Sequence, residues 1–131
     1  MIVLDASAAV DLVSGTVAPD HALALRVGTA PEVHVPELFE LELLSALRGL
    51  ERGGRIGSRR LSLALARSEA MRSVRWPHAE LRNRIWELRH RLSVYDAVYA
   101  ALAKLLDLPL VTTDARLAAG AGPGVAVELY E

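Results

Sequence analysis

The stretch MIVLDASAAV, residues 1–10, sets three large apolar side chains, Ile2, Val3 and Leu4, ahead of an aspartate and a run of small residues. A short, unbroken apolar run is the pattern of a strand buried on both faces. Asp5 closes it, and the small residues that follow predict a helix over about residues 6–13. The arrangement returns far along the chain, where VTTDARLA (111–118) ends a second apolar run on Asp114. Two buried strands that both finish on a carboxylate suggest one rim carrying both charges.

Working outward, HALALRVG (21–28) reads as a helix that Asp20 can cap and Gly28 can end. VHV (33–35) is a second strand, and Pro36 stands where proline is tolerated, at the start of the helix ELFELELLSALRGLERGG. That helix stops at Gly53-Gly54. Ser58 is placed to cap RRLSLALARSEAMRS, and HAELRNRIWELRHRL after Pro77 carries Leu81, Ile85, Trp86 and Leu88 at helical spacing. Ser93 opens VYDAVYAALAKLL, whose Tyr95, Val98, Tyr99 and Leu102 look like core. Leu108-Pro109 breaks it, LVTT is a strand, GAGPG (120–124) a turn and VAVEL a last strand. Helices alternating with short apolar strands predict an α/β fold, a parallel sheet covered on both faces. A length of 131 residues fits one domain over 1–131.

Composition removes several classes of function. With 52% hydrophobic and 24% charged residues the chain folds rather than staying disordered. It has no cysteine, so disulfides, thiolate zinc sites and thiol catalysis are excluded. No run approaches the roughly 18 apolar residues of a membrane span. MIVLD lacks the positive start of a signal peptide, so a cytoplasmic protein without a membrane partner is expected. His21, His34, His78 and His90 have no metal-ligand spacing, and no G-x-S-x-G marks a serine hydrolase.

The net charge of −1 conceals a division. Residues 48–91 hold twelve arginines against four glutamates, and the remainder of the chain is correspondingly acidic. An acidic site beside a polyanion-binding surface would give this pattern, and so would two solvated helix faces. On the first reading, Arg89 and Arg91 are the arginines nearest the acidic site.

Taken singly, Asp5 and Asp114 are favoured as helix caps. In open α/β sheets, however, ligands bind beyond the carboxyl ends of the strands, where both would stand if their strands are neighbours. Glu42 has Leu38, Phe39, Ser45 and Ala46 as its helical neighbours, a face too apolar for a free carboxylate. It needs either an arginine from another helix or a cation. Glu40, on the other side of the helix, is free to reach solvent. Asp96 stands three residues after Ser93, as the acid of a first helical turn. Asp11 reads as a solvent-exposed helix residue. If the four carboxylates converge to about 5 Å, each pair repels by roughly 3 kcal/mol at an effective dielectric of 20. Shared protons or a bound cation would relieve that. Oxygen-only ligands favour a hard ion, Mg²⁺ or Mn²⁺, which activates water and stabilises charge developing on a phosphodiester.

MIVLDASAAVDLV, VPELFELELLSALRGL and RLSVYDAVYAALAKLLDLPLVTTDARLA resemble, in order and spacing, the successive motifs of PIN-domain ribonucleases of the VapC toxin type, from residue 1 to about 118. The resemblance implies a three-layer α/β/α sandwich around a short parallel sheet. It implies Mg²⁺-dependent cleavage of RNA by activated water, in a toxin restrained by a cognate antitoxin and forming a homodimer. The family's acidic quartet falls on Asp5, Glu42, Asp96 and Asp114. Asp5, Asp96 and Asp114 are then the expected metal ligands, with Ser7 and Thr112 as supporting hydroxyls. Many members carry another acid two or three positions after the last aspartate. Arg116 and Leu117 stand there in this chain, which implies a weak or absent second metal site.

A catalytically silent PIN-fold module acting through a partner protein is the alternative. A receiver-type phosphoacceptor would need an acidic pair after the first strand and a lysine after a late one. The only lysine, Lys104, lies in a helix. A D-x-D phosphatase fails because residue 7 is serine.

Overall fold

The apolar runs become strands with no solvent-facing side: all three residues of β1 (Ile2–Leu4) and of β4 (Leu110–Thr112) are buried. The computed structural model describes residues 1–131. β2 (Val33–Pro36) flanks β1, with β3 (Val74–Trp76) beyond it, and β5 (Val127–Leu129) lies outside β4. Every pairing is parallel, in the order β3-β2-β1-β4-β5. From β1 the chain builds outward to β2 and β3, then returns to the other side of β1 for β4. Strand order therefore reverses between β1 and β4, the switch point at which open α/β sheets form a ligand crevice.

Helices flank the sheet: α1 (Ala6–Val13), α2 (Ala22–Thr29), α3 (Leu38–Arg52), α4 (Ser58–Ala70), α5 (Arg82–Glu87), α6 (Val94–Leu106) and α7 (Ala115–Gly120). This is the α/β arrangement expected from the alternation. α6 is the most deeply set, buried continuously from Ala97 to Ala103. Its alanines are what let a helix lie so close to β1 and β2. Ser93 accepts the Asp96 amide at 3.2 Å and starts it, as expected. Gly120 fixes α7: a Cβ there would overlap the Leu92 side chain and come within 3.0 Å of the Arg91 carbonyl oxygen. Only glycine permits this approach, which docks α7 against the segment entering α6.

Several local expectations give way to tertiary context. The strand β3 is absent from the sequence reading, because its Val74 and Arg75 are exposed at a sheet edge and give no apolar signal. Pro36 ends β2 rather than starting α3, since its neighbour Glu37 donates its amide to Trp76 O and extends the pairing with β3. His21, not Asp20, caps α2, its Nδ1 accepting the Leu23 amide at 3.1 Å, and the helix runs past Gly28 to Thr29. Gly57 takes the cap position before α4, and Ser58 is already helical. The expected helix over 78–92 is a 3₁₀ turn (Ala79–Leu81) followed by the short α5. Its Leu81, Ile85 and Leu88 are buried as read, but Trp86 is 63% exposed. Tyr95, expected in the core, is 62% exposed. No helix is long and apolar enough to cross a membrane.

Candidate active site

Because β1 and β4 are hydrogen-bonded neighbours, their last residues emerge side by side, with the Asp5 amide donating to Val111 O at 3.0 Å. Asp5, Ser7, Glu42, Asp96 and Asp114 line one open cavity of about 360 Å³ at this rim. β1, the start of α1, α3, α6 and β4 thus each deliver a side chain to it. Thr112 lies fully buried just beneath.

Asp5 stands at the cap position of α1 but makes no capping bond. Its Oδ2 instead accepts from Ser7 Oγ and from Thr112 Oγ1, the latter at 2.7 Å. Thr112 Oγ1 in turn accepts the Asp114 amide at 2.9 Å. Two hydroxyls therefore hold one oxygen of a carboxylate that is only 5% exposed. Burial pushes the Asp5 carboxyl above its usual range; those hydroxyls oppose the rise, and the charges of Asp96 and Asp114 add to it. Asp114 does cap its helix, Oδ1 accepting the Arg116 amide at 2.8 Å. Capping and a place in the cavity are compatible, since the cap bonds use one oxygen.

Glu42 meets no arginine. Its partner is the Tyr99 hydroxyl, which donates to Oε1 at 2.7 Å. Burial raises the Glu42 carboxyl, Tyr99 opposes that, and the charges of Asp5 and Asp96 add to it. Asp96 is raised by burial and then by Asp114, against Ser93 and Arg116. Arg116, four residues from Thr112 in sequence, is the cation felt at this rim. Neither Arg89 nor Arg91 lines the cavity, contrary to expectation. Arg89 lies over the Trp86 ring at 4.6 Å, and Arg91 extends toward Gly122. Arg60 and Arg67 donate to Ser14 O and Val13 O at the far end of α1. Glu40 is paired with Arg75 at the surface.

Two lining residues escaped the sequence reading. Asp11, expected in solvent, is half-buried in the cavity, where burial raises its carboxyl against the Thr113 hydroxyl and His21. The signal was available: Ser7, Val10 and Asp11 share a helical face, and all three line the cavity. Thr113 donates to Ser7 Oγ at 3.1 Å and joins the hydroxyls around Asp5.

Several carboxylates thus raise one another's pKa, and none of the four expected acids is in a salt bridge. No three acidic or imidazole side chains are drawn together tightly enough to enclose an ion by themselves. Mg²⁺, which keeps several waters and commonly binds through one or two carboxylates, does not require three acids in contact with it. The donor set is all oxygen, as a hard cation prefers. A second, larger hollow of about 870 Å³ lies between α5 and the start of α6, lined by Ile85, Trp86, Tyr95 and Val98 among others, and without a carboxylate.

The model of the PIN domain family matches residues 2–123. Over 117 residues the chain is 40% identical to the VapC ribonuclease Mb0985 of Mycobacterium bovis, covering 89% of this chain and 88% of that one. It is 37% identical over 129 residues to ribonuclease VapC1 of Mycobacterium tuberculosis, covering 97% and 94% of the two chains. Among solved structures, a chain of VapBC2 from Rickettsia felis, crystallised with a DNA fragment from its promoter, superposes over the whole of both chains. Its TM-score is 0.69 at 16% identity, a likeness of fold.

Proposed function

We propose, from the premise that this chain belongs to the PIN domain family and within it to the VapC ribonucleases, that it is a Mg²⁺-dependent endoribonuclease and the toxin of a toxin–antitoxin pair. One observation carries the reading most: Asp5, Glu42, Asp96 and Asp114, remote in sequence, line a single cavity with no salt-bridge partner. Such crowding costs stability in an empty site and favours a cationic occupant.

Asp5, Asp96 and Asp114 are the side chains that would hold Mg²⁺, or Mn²⁺ in its place, partly through water. When bound, the ion would neutralise these charges and stabilise the negative charge that develops on the phosphodiester. Ser7 and Thr112 keep Asp5 Oδ2 fixed, which leaves the other oxygen for the occupant. Glu42 orients the attacking water and takes its proton as the water oxygen bonds to phosphorus. The bond from phosphorus to the leaving ribose oxygen breaks, and that oxygen is protonated from solvent. Arg116 and the arginines of residues 48–91 supply contacts to RNA phosphates, which hold the strand without reading its sequence.

The partners follow the same reading. Leu41, Leu44, Leu63 and Leu65, exposed on α3 and α4, suit an antitoxin's apolar segment. The hollow beside Trp86 suits a second copy of this chain. The decisive assay incubates the purified chain with total RNA and Mg²⁺, in parallel with EDTA and with Asp5→Asn. Full cleavage is expected only in the first, with none in EDTA and Asp5→Asn slower by at least about 100-fold. RNA left intact by a folded chain that binds Mg²⁺ would favour the silent binding module instead.

A further inference from the structure

Tyr99 has the sequence character of a core residue, and it is fully buried. Phenylalanine would fill that space equally well, so its hydroxyl calls for a reason. A buried phenol needs a partner. Here the partner is Glu42, whose Oε1 receives the hydroxyl at 2.7 Å and which has no other side-chain hydrogen bond.

Two elements of the cavity meet at this hydroxyl, α6 through Tyr99 and α3 through Glu42. Tyr99 lies one turn after Asp96 on α6, so the same helix presents one acid and grips another. The chemistry of the donor also matters. An arginine here would neutralise Glu42 and repel a divalent ion. A phenol restrains one carboxylate oxygen and leaves the acid's charge and its second oxygen in place.

We propose that Tyr99 is a positioning residue for the reaction, its hydroxyl fixing the Glu42 carboxylate relative to Asp5 and Asp96. The proposal rests on the nuclease reading above, and it assigns Tyr99 no contact with RNA or ion. Its effect passes through Glu42 alone, which makes it separable from an ordinary packing role.

The test is a double-mutant cycle of Tyr99→Phe and Glu42→Gln, followed by kcat and KM on a single-stranded RNA that the parent cuts. Calorimetry with Mg²⁺ alone and thermal unfolding are recorded for each chain. Tyr99→Phe is expected to lower kcat by about 10-fold or more with KM nearly unchanged, since a loosened catalytic group loses orientation. It should leave Mg²⁺ affinity within about threefold, and it should add nothing in the Glu42→Gln background. Equal losses in both backgrounds, an unfolded Tyr99→Phe chain, or an undiminished kcat would assign Tyr99 to the scaffold and overturn the proposal. A parent that neither cuts RNA nor binds Mg²⁺ would overturn the nuclease reading and this proposal together. Active parent with indifferent Tyr99→Phe overturns the proposal alone.

Discussion

Two hollows share the start of α6. Tyr95 lines the larger, and its sequence neighbour Asp96 lines the smaller. The larger holds about 870 Å³ and seven of its ten lining residues are hydrophobic. It satisfies the usual description of a ligand pocket, yet it offers no acid. The smaller, about 360 Å³, has only three hydrophobic residues among ten, and five carboxylates. Volume measures how much apolar surface a fold has left uncovered. Unrelieved charge measures how much stability has been given up at one place, and that is where chemistry belongs. The crevice is also where strand order reverses, whereas the apolar hollow lies between helices.

If the two hollows are independent, a change in one leaves the other alone. If a second copy of this chain covers the apolar hollow, as proposed, Trp86→Glu should weaken that association by at least about 30-fold, the scale of a central aromatic anchor, by sedimentation across a dilution series. Its Mg²⁺ affinity should match the parent's. Loss of Mg²⁺ binding in that variant would mean that assembly completes the crevice and that the division is false.

A smaller effect sharpens the electrostatic half. Asp5, Glu42 and Asp96 all have carboxyls raised in the folded chain, by burial first and by one another's charges next. Between the unfolded values, near about 4, and the higher folded ones, the native chain binds more protons than the unfolded chain. Stability from these groups is therefore complete below the unfolded values and is lost as pH rises through the folded ones. Urea unfolding in EDTA should show this decline across mildly acid pH. Saturating Mg²⁺ should remove it, and Asp5→Asn should flatten it. Glu40 and Glu128, held below their usual range by Arg75 and Arg26, contribute in the opposite sense. The crevice's share is therefore the parent's decline relative to Asp5→Asn. Identical profiles in the two chains would show that its carboxyls are not raised.

What could be read from the sequence follows from which side chains carry their own context. β1 and β4, buried on both faces, announce themselves in Ile2-Val3-Leu4 and Leu110-Val111, and the acids at their ends locate the rim. Asp5 and Asp114 meet because neighbouring parallel strands end on the same side, and α3 and α6 bring Glu42 and Asp96 to that rim. β3 gives no apolar signal: a three-residue edge strand with Val74 and Arg75 exposed pairs with β2 through its backbone and through Trp76, whose Nε1 donates to His34 Nδ1 at 3.0 Å. Trp86 and Tyr95 misled for the opposite reason, since helical spacing identifies a face but not whether anything covers it. Asp11 is readable on the wheel with Ser7, although a lone acid on a helix fits a solvated face equally well. Tyr99 was placed correctly in the core. Its partner, 57 residues away, depends on how α3 crosses α6.

The claim on which the rest turns is that the crevice holds a divalent cation. Calorimetric titration of the purified chain with Mg²⁺ near pH 5, in buffers of different ionisation enthalpy, tests it most directly. Saturable binding with release of protons from the raised carboxyls is expected, and loss of both in Asp5→Asn. No saturable heat at millimolar Mg²⁺, or an Asp5→Asn chain that binds as the parent does, would contradict it.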